Sequence, residues 1–164
     1  MINYAIMSSP IGKLLLAKST RGLSHIIFEH KIEKYETIIA NNFPNQKIIN
    51  DQSFLIDEVN QLTEYFSGCR KYFDIKLDIR MPPFYKKVIN VVSKIPYGTY
   101  LSYKEVASKA GNLKAARAAG TANARNLIPI VIPCHRVLAS HGKLGGYGGG
   151  IKIKKYLLKL ESIK

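Results

Sequence analysis

The sequence predicts an α/β chain in two parts: a small strand-rich α/β domain over residues 1–80, then a mostly helical domain over 81–164 that contains a helix-turn-helix. Three observations carry this reading. Short apolar runs broken by Ser, Pro and Gly fill the stretch from Ile2 to Glu29. Met81-Pro82-Pro83 interrupts the middle of the chain, and helical stripes follow it. Charge divides at the same place: residues 84–164 carry 15 Lys and Arg against Glu105 and Glu161, a net of +13, whereas residues 1–83 carry 10 against 9 acids, a net of +1.

In the first part, Ile2–Met7 reads as a strand, Ser9-Pro10-Ile11-Gly12 as a turn and Lys13–Lys18 as a second strand. Ser19-Thr20-Arg21-Gly22 turns again into Leu23–Glu29. Asp51 is placed to cap a helix whose stripe is Leu55, Val59, Leu62 and Phe66, and Gly68 stops it. Phe73–Ile79 is expected to be a further strand. No residue pattern here points to chemistry, so the expectation is a structural domain.

In the second part, the two prolines start a helix with the stripe Phe84, Val88, Val91 and Ile95, ended by Pro96-Tyr97-Gly98. Ser102-Tyr103-Lys104-Glu105 has the form of a capping box, in which serine and glutamate satisfy each other's helix-end donors. That helix runs to about Ala110, and Gly111 terminates it. Asn112 then caps a third helix, Leu113 to about Ala124. Two short helices joined by a glycine turn form the helix-turn-helix pattern. Ala115, Ala116, Ala118, Ala119, Gly120 and Ala122 leave the third helix almost without bulk, while Arg117 projects from its middle. Small residues allow close helix packing; on a basic helix they equally let the backbone press into a nucleic-acid groove.

An apolar strand, Leu127–Ile132, leads into Pro133-Cys134-His135-Arg136-Val137. Gly145–Gly150 is a flexible loop without the Lys-Ser/Thr ending of a phosphate loop. A final helix buries Ile153, Tyr156, Leu157 and Leu160, with Glu161 at the edge of that face.

Hydrophobic residues make up 46% of the chain without a long apolar stretch, so a membrane span is not expected. The start carries no signal-peptide pattern. Two cysteines provide neither a disulfide framework nor a metal-ligand cluster, so an intracellular, reduced setting is the default. The basic second half should bind polyanions in a salt-dependent way, and nucleic acid is the expected partner.

Cys134 is the residue with chemical potential. A cysteine in an apolar run is often an inert core residue, but this one sits at a proline corner beside a base. Only the thiolate is a good nucleophile, and a buried thiol needs a base to form it. Neighbours in an extended segment point apart, so His135 would act through a water or a turn at Pro133. A carboxylate orienting the imidazole would complete a relay. The candidate is Glu161, the only acid after Glu105. From the residues alone, a surface pair with Lys155 or Lys159 is the stronger reading of Glu161, which lies where a negative charge opposes the helix dipole. Asn126 reads as a turn residue.

Together these residues resemble the O6-alkylguanine-DNA alkyltransferases, the methylated-DNA–protein-cysteine methyltransferases. The resemblance rests on Ile132-Pro133-Cys134-His135-Arg136-Val137, Ser102-Tyr103, Lys114-Ala115-Ala116-Arg117-Ala118, Asn126, Gly146-Tyr147, and Leu157-Leu158 with Glu161. It spans about Pro82 to Glu161 and, more loosely, the whole chain. It implies a ribonuclease-H-like fold for the first domain. It also implies direct-reversal DNA repair: an O6-alkylated guanine (O4-alkylated thymine is a second candidate) is flipped from double-stranded DNA, and Cys134 takes the alkyl group irreversibly, once. By the same resemblance His135 deprotonates Cys134 through a water, Glu161 fixes the His135 tautomer, Asn126 stabilises the turn, and Tyr103 donates a proton to the leaving base. Arg117 would fill the space the nucleotide leaves, with Ala115, Ala116, Ala118 and Gly120 lying along the minor groove. Val137, Tyr147 and Gly148 would form the base pocket. Gly148 stands where some relatives carry serine, which would admit bulkier alkyl groups. The expected protein is a cytoplasmic, microbial monomer with no cofactor and no metal, since Cys69, His25 and His30 make a poor zinc set.

Three rivals are weighed. A lesion-recognition protein without transfer is opposed by Cys134 itself. A cysteine hydrolase would need an oxyanion hole and turnover. A helix-turn-helix regulator would use Arg117 on major-groove edges.

Overall fold

The computed structural model describes residues 1–112 and 114–162. It divides into two compact units, Met1–Arg80 and Met81–Lys164.

In the first unit, strands β1 (Ile2–Met7), β2 (Leu14–Lys18) and β3 (Leu23–Phe28) form an antiparallel meander. Ser9 closes the first turn, accepting from Ile11 N and donating to Gly12 O at 3.2 and 2.6 Å. A short strand that the sequence reading did not anticipate, β4 (Ile48–Asn50), pairs parallel with β1, giving the order β3-β2-β1-β4. Helix α1 (Tyr35–Asn42) was likewise not anticipated; its Ile39, together with Phe43, packs on Ile2, Leu15, Ala17 and Ile27. The opposite face is covered too, because Leu14 and Leu16 are fully buried. Asp51 is not the cap residue of the helix expected after it: it lies one residue before Gln52, the N-cap of the 3₁₀ turn Ser53–Leu55, and its Oδ1 accepts from Phe54 N at 3.2 Å. That turn feeds α2 (Ile56–Phe66). Gly68, at φ +82°, ends α2 with a Cys69 N to Glu64 O bond of 2.9 Å.

Phe73–Ile79 is not a strand. It makes one isolated bridge, Leu23 with Leu77, bonded through Lys76 O and Asp78 N. Side chains take ladder positions: Gln61 bonds both Asp74 N and Asp74 O, at 2.8 and 2.9 Å. The approach at Gly22 is so close that a Cβ there would lie 2.5 Å from Lys76 O, which explains the glycine.

In the second unit, Pro83 opens α3 (Pro83–Ser93), which buries Val88, Ile89 and Val92; Phe84 and Val91 of the expected stripe are only half-buried. β5 (Leu101–Ser102) leads into α4 (Tyr103–Lys109) through the capping box, both bonds being 3.1 Å. α5 (Ala116–Ala124) starts later than expected. Asn112 holds an Asx-type turn before it, accepting from Lys114 N at 3.1 Å; Leu113, the expected first residue, lies outside the described residues. α4 and α5 pack together as the two helices of the helix-turn-helix. β6 (Val137–Leu138) pairs with β5, and α6 (Ile151–Leu160) closes the unit. The buried face of α6 is Lys154, Leu157 and Leu158, continued by Glu161, while Tyr156, expected inside, is 37% exposed. No helix among the described residues is long and apolar enough to cross a membrane.

Candidate active site

The apolar run before Cys134 is a turn, not the expected strand. Ile132 N bonds back to Ile128 O at 2.9 Å. Ile130 stands at φ +75° with its side chain buried. For a β-branched residue this conformation is strained, at a cost of about 1–3 kcal/mol. Asn126 sets the turn: its Nδ2 donates to Ile132 O at 2.8 Å and its Oδ1 accepts from Ile128 N at 3.0 Å. With Asn126 and two prolines satisfying or removing the groups a ladder would use, the run folds back on itself. Pro133, at φ −79° and ψ 65°, is the centre of an inverse γ-turn closed by Cys134 N to Ile132 O at 2.7 Å. Cys134–Arg136 then forms a single 3₁₀ turn.

This corner buries Cys134 and His135. Burial pushes the Cys134 thiol above the ordinary thiol range; hydrogen bonding from Asn126 and Tyr147 and the charge of Lys154 pull against it. Burial likewise lowers the His135 pKa, opposed by its hydrogen bond to Glu161. His135 Nε2 lies 2.7 Å from Glu161 Oε2. A carboxylate only accepts, so Nε2 carries the proton and Nδ1 keeps its lone pair. Nδ1 is buried and has no hydrogen-bond partner among the described residues.

Glu161 is 2% exposed, inside the unit rather than at the surface where a pair with Lys155 or Lys159 was expected. Its carboxylate accepts from His135, from Arg136 Nε at 2.7 Å, from Arg136 Nη2 at 3.0 Å and from Gly98 N at 3.4 Å. Arg136 Nη1 also donates to Ile95 O at 2.6 Å. The two-pronged guanidinium satisfies the charge that the helix end disfavours.

Tyr103, the first residue of α4, is half-buried. Burial first, and the Cys134 charge second, raise its pKa, while hydrogen bonding from Asn123 lowers it. A Cβ on Gly145 (φ +66°) would stand 3.2 Å from the Tyr103 hydroxyl, so the glycine loop runs directly against this ring. Val137 is buried beside the motif, Tyr147 is half-buried, and Gly148 is exposed. Asn126, Tyr147 and Tyr103 thus gather around Cys134, with His135 and Glu161 behind it. On α5, Arg117 is exposed, and Ala116, Ala118 and Gly120 are half-buried, as is Ala115 at its N-cap; Ala119, Ala122 and Asn123 form its inner face.

Three residues here escaped the sequence reading. Arg136 was read only as part of the motif. Asn123 donates to Cys134 O at 3.2 Å. Lys154 is fully buried, its Nζ bonded to Val137 O at 2.8 Å, to Gly146 O at 3.3 Å and to Leu144 O, which ties the glycine loop to the motif. Burial lowers its pKa to about 8. Its spacing of three, four and seven residues from Leu157, Leu158 and Glu161 was the available signal.

Residues 2–79 match the family model described as the 6-O-methylguanine DNA methyltransferase ribonuclease-like domain, and residues 83–163 the one described as the DNA binding domain of the same proteins. The methylated-DNA–protein-cysteine methyltransferase of Methanosarcina acetivorans is 44% identical over 158 residues, covering 96% of this chain and 97% of that protein. The constitutive enzyme of the same name from Bacillus subtilis is 36% identical, covering 98% and 95%. Among solved structures, the Mycobacterium tuberculosis O6-methylguanine methyltransferase superposes with a TM-score of 0.86 at 40% identity, covering 98% and 93% of the two chains. A structure of the M. tuberculosis protein in complex with DNA gives 0.85 at 38% identity, covering 97% and 92%. A buried cysteine at a proline corner, a histidine held by glutamate and two matched domains thus converge on one assignment: the chain belongs to the 6-O-methylguanine DNA methyltransferase family.

Proposed function

We propose that this chain repairs DNA by moving the alkyl group of O6-alkylguanine onto Cys134, once per molecule. The observation that supports this most directly is the buried thiol of Cys134, followed in the same 3₁₀ turn by a buried His135 whose Nε2 is held by Glu161 at 2.7 Å. The thiol proton passes by way of a water to His135 Nδ1, and Glu161 and Arg136 hold the resulting imidazolium in place. The sulfur then bonds to the alkyl carbon as the bond from that carbon to O6 breaks. The electron pair passes into the guanine, and Tyr103 gives its hydroxyl proton to a ring nitrogen. The proton lost by the thiol later restores the tyrosine, and a stable thioether remains.

A base inside the stack cannot reach a buried sulfur, so the nucleotide must leave the duplex, at a cost of a few kcal/mol. Exposed Arg117 on a helix of small residues suits an intruder that occupies the vacated space from the minor-groove side. Val137, Tyr147 and Gly148 border the pocket for the base. In this reading the Met81–Lys164 unit binds DNA and accepts the alkyl group, the Met1–Arg80 unit is structural, and the protein works as a cytoplasmic monomer without a cofactor.

Single-turnover assays test the assignment. Arg117→Ala is expected to slow transfer from a methylated duplex at least on the order of tenfold more than transfer from free O6-methylguanine. Equal losses on the two substrates would remove Arg117 from flipping, and product exceeding one methyl group per chain would overturn the single-use reaction.

A further inference from the structure

Asn123 lies on the inner face of α5, 6% exposed, one helical turn after Gly120. A Cβ on Gly120 would stand 3.6 Å from the Tyr103 ring, so this face of α5 lies against that tyrosine. The amide orientation of Asn123 is fixed by chemistry. Its partner, Cys134 O at 3.2 Å, can only accept, so Nδ2 faces it. Its second N–H is left free to act, and its Oδ1 is buried with no hydrogen-bond partner among the described residues. The Cys134 bond uses one of the two Nδ2 hydrogens, which leaves the second for an acceptor on the same face of α5.

We propose that Asn123 is a positioning residue for the transfer step, its one amide holding the Cys134 carbonyl on one side and the Tyr103 hydroxyl oxygen on the other. Resting on the reading of Tyr103 as the proton donor, this gives Asn123 two effects. An N–H on the tyrosine oxygen occupies the lone pair facing α5 and turns the O–H toward the base. The same N–H stabilises the phenolate that forms as the proton leaves. The electrostatics agree: hydrogen bonding from Asn123 lowers the Tyr103 pKa while burial and Cys134 raise it. The bond to Cys134 O keeps the acceptor residue in register with its acid through a single side chain.

The test compares Asn123→Leu and Asn123→Ala with Tyr103→Phe, in the full chain, using two alkylating partners. A methylated duplex needs its leaving group protonated; iodoacetamide, followed on the peptide holding Cys134 because Cys69 is also free and exposed, alkylates the same thiol and does not. Both Asn123 variants are expected to lose on the order of tenfold to a hundredfold with the duplex, and to change less than about threefold with iodoacetamide, which also reports that the site is folded. In the Tyr103→Phe background, either Asn123 substitution should cause no more than about a threefold further loss. Parallel losses with both partners, or losses that multiply in the double variant, would overturn the proposal. If Tyr103→Phe itself matched the unaltered protein, the reading of Tyr103 would fail and the proposal with it. If Tyr103→Phe were slow and the Asn123 variants were not, the proposal alone would fail.

Discussion

Glu161→Gln is expected to lower the stability of the chain by about 3–5 kcal/mol, the usual loss when one partner of a buried ion pair is neutralised. The reason is Arg136. Its guanidinium, nearly buried, spends two of its donors on this carboxylate, so neutralising Glu161 leaves a positive charge out of water with Ile95 O and the face of the Tyr97 ring as its remaining partners among the described residues. Transfer should slow as well, on the order of a hundredfold. Glu161 raises the pKa of His135 against burial, so its loss makes the imidazole a weaker base. The Cys134 thiol already lies above its ordinary range. The sign follows: transfer rises with pH as the thiolate forms, and in Glu161→Gln the rising limb moves to higher pH. Urea unfolding and a pH–rate profile check the two effects. The double variant Glu161→Leu with Arg136→Met separates them, because a well-packed apolar pair recovers much of the stability while His135 still lacks its partner and transfer stays slow. Recovery of both would mean that Glu161 acts only through the fold.

Asn126→Ala carries the second large effect. Asn126 joins both arms of the turn that strains Ile130 and delivers Pro133 to its γ-turn, beside the Ile132 N to Ile128 O bond. Alanine removes one donor and one acceptor, so the buried Ile128 N–H loses its partner and the buried Ile132 carbonyl keeps only the Cys134 N–H among the described residues, at about 1–3 kcal/mol. The larger consequence is geometric. Ile132 O also accepts the Cys134 N–H, so loosening that carbonyl shifts the sulfur itself, and a displacement of about 1 Å costs on the order of a hundredfold in a positioned displacement reaction. Transfer kinetics beside a thermal melt would show it. Transfer at the unaltered rate in a destabilised variant would mean that Asn126 braces the fold without aiming the cysteine.

What was legible in the sequence was set by local chemistry. Ser102 and Glu105 are close enough along the chain to satisfy each other, and the structure has both bonds. The Ser9–Gly12 turn and the Gly68 stop depend on nearby residues in the same way. The strand expected at Phe73–Ile79 failed because a distant side chain, Gln61, took the backbone groups of Asp74. The strand expected at Leu127–Ile132 failed because its hydrophobicity gave no notice of Asn126 as a brace. At the site, the Cys134 motif was plain, whereas Glu161 looked like a surface residue because its partners stand 25 and 26 positions away and the helix end argues against a carboxylate there. Lys154 looks like any lysine in Lys152-Ile153-Lys154-Lys155 until the buried face of α6 is phased from Leu157 and Leu158.

The central claim is that the Cys134 sulfur ends the reaction carrying the alkyl group. Incubation with a duplex containing O6-methylguanine, followed by intact-protein and peptide mass analysis, tests this most directly. The expected result is a gain of one methyl group per chain, located on the peptide holding Cys134, with none in Cys134→Ala. A methyl group found on Cys69, or demethylated DNA with the protein mass unchanged, would contradict it.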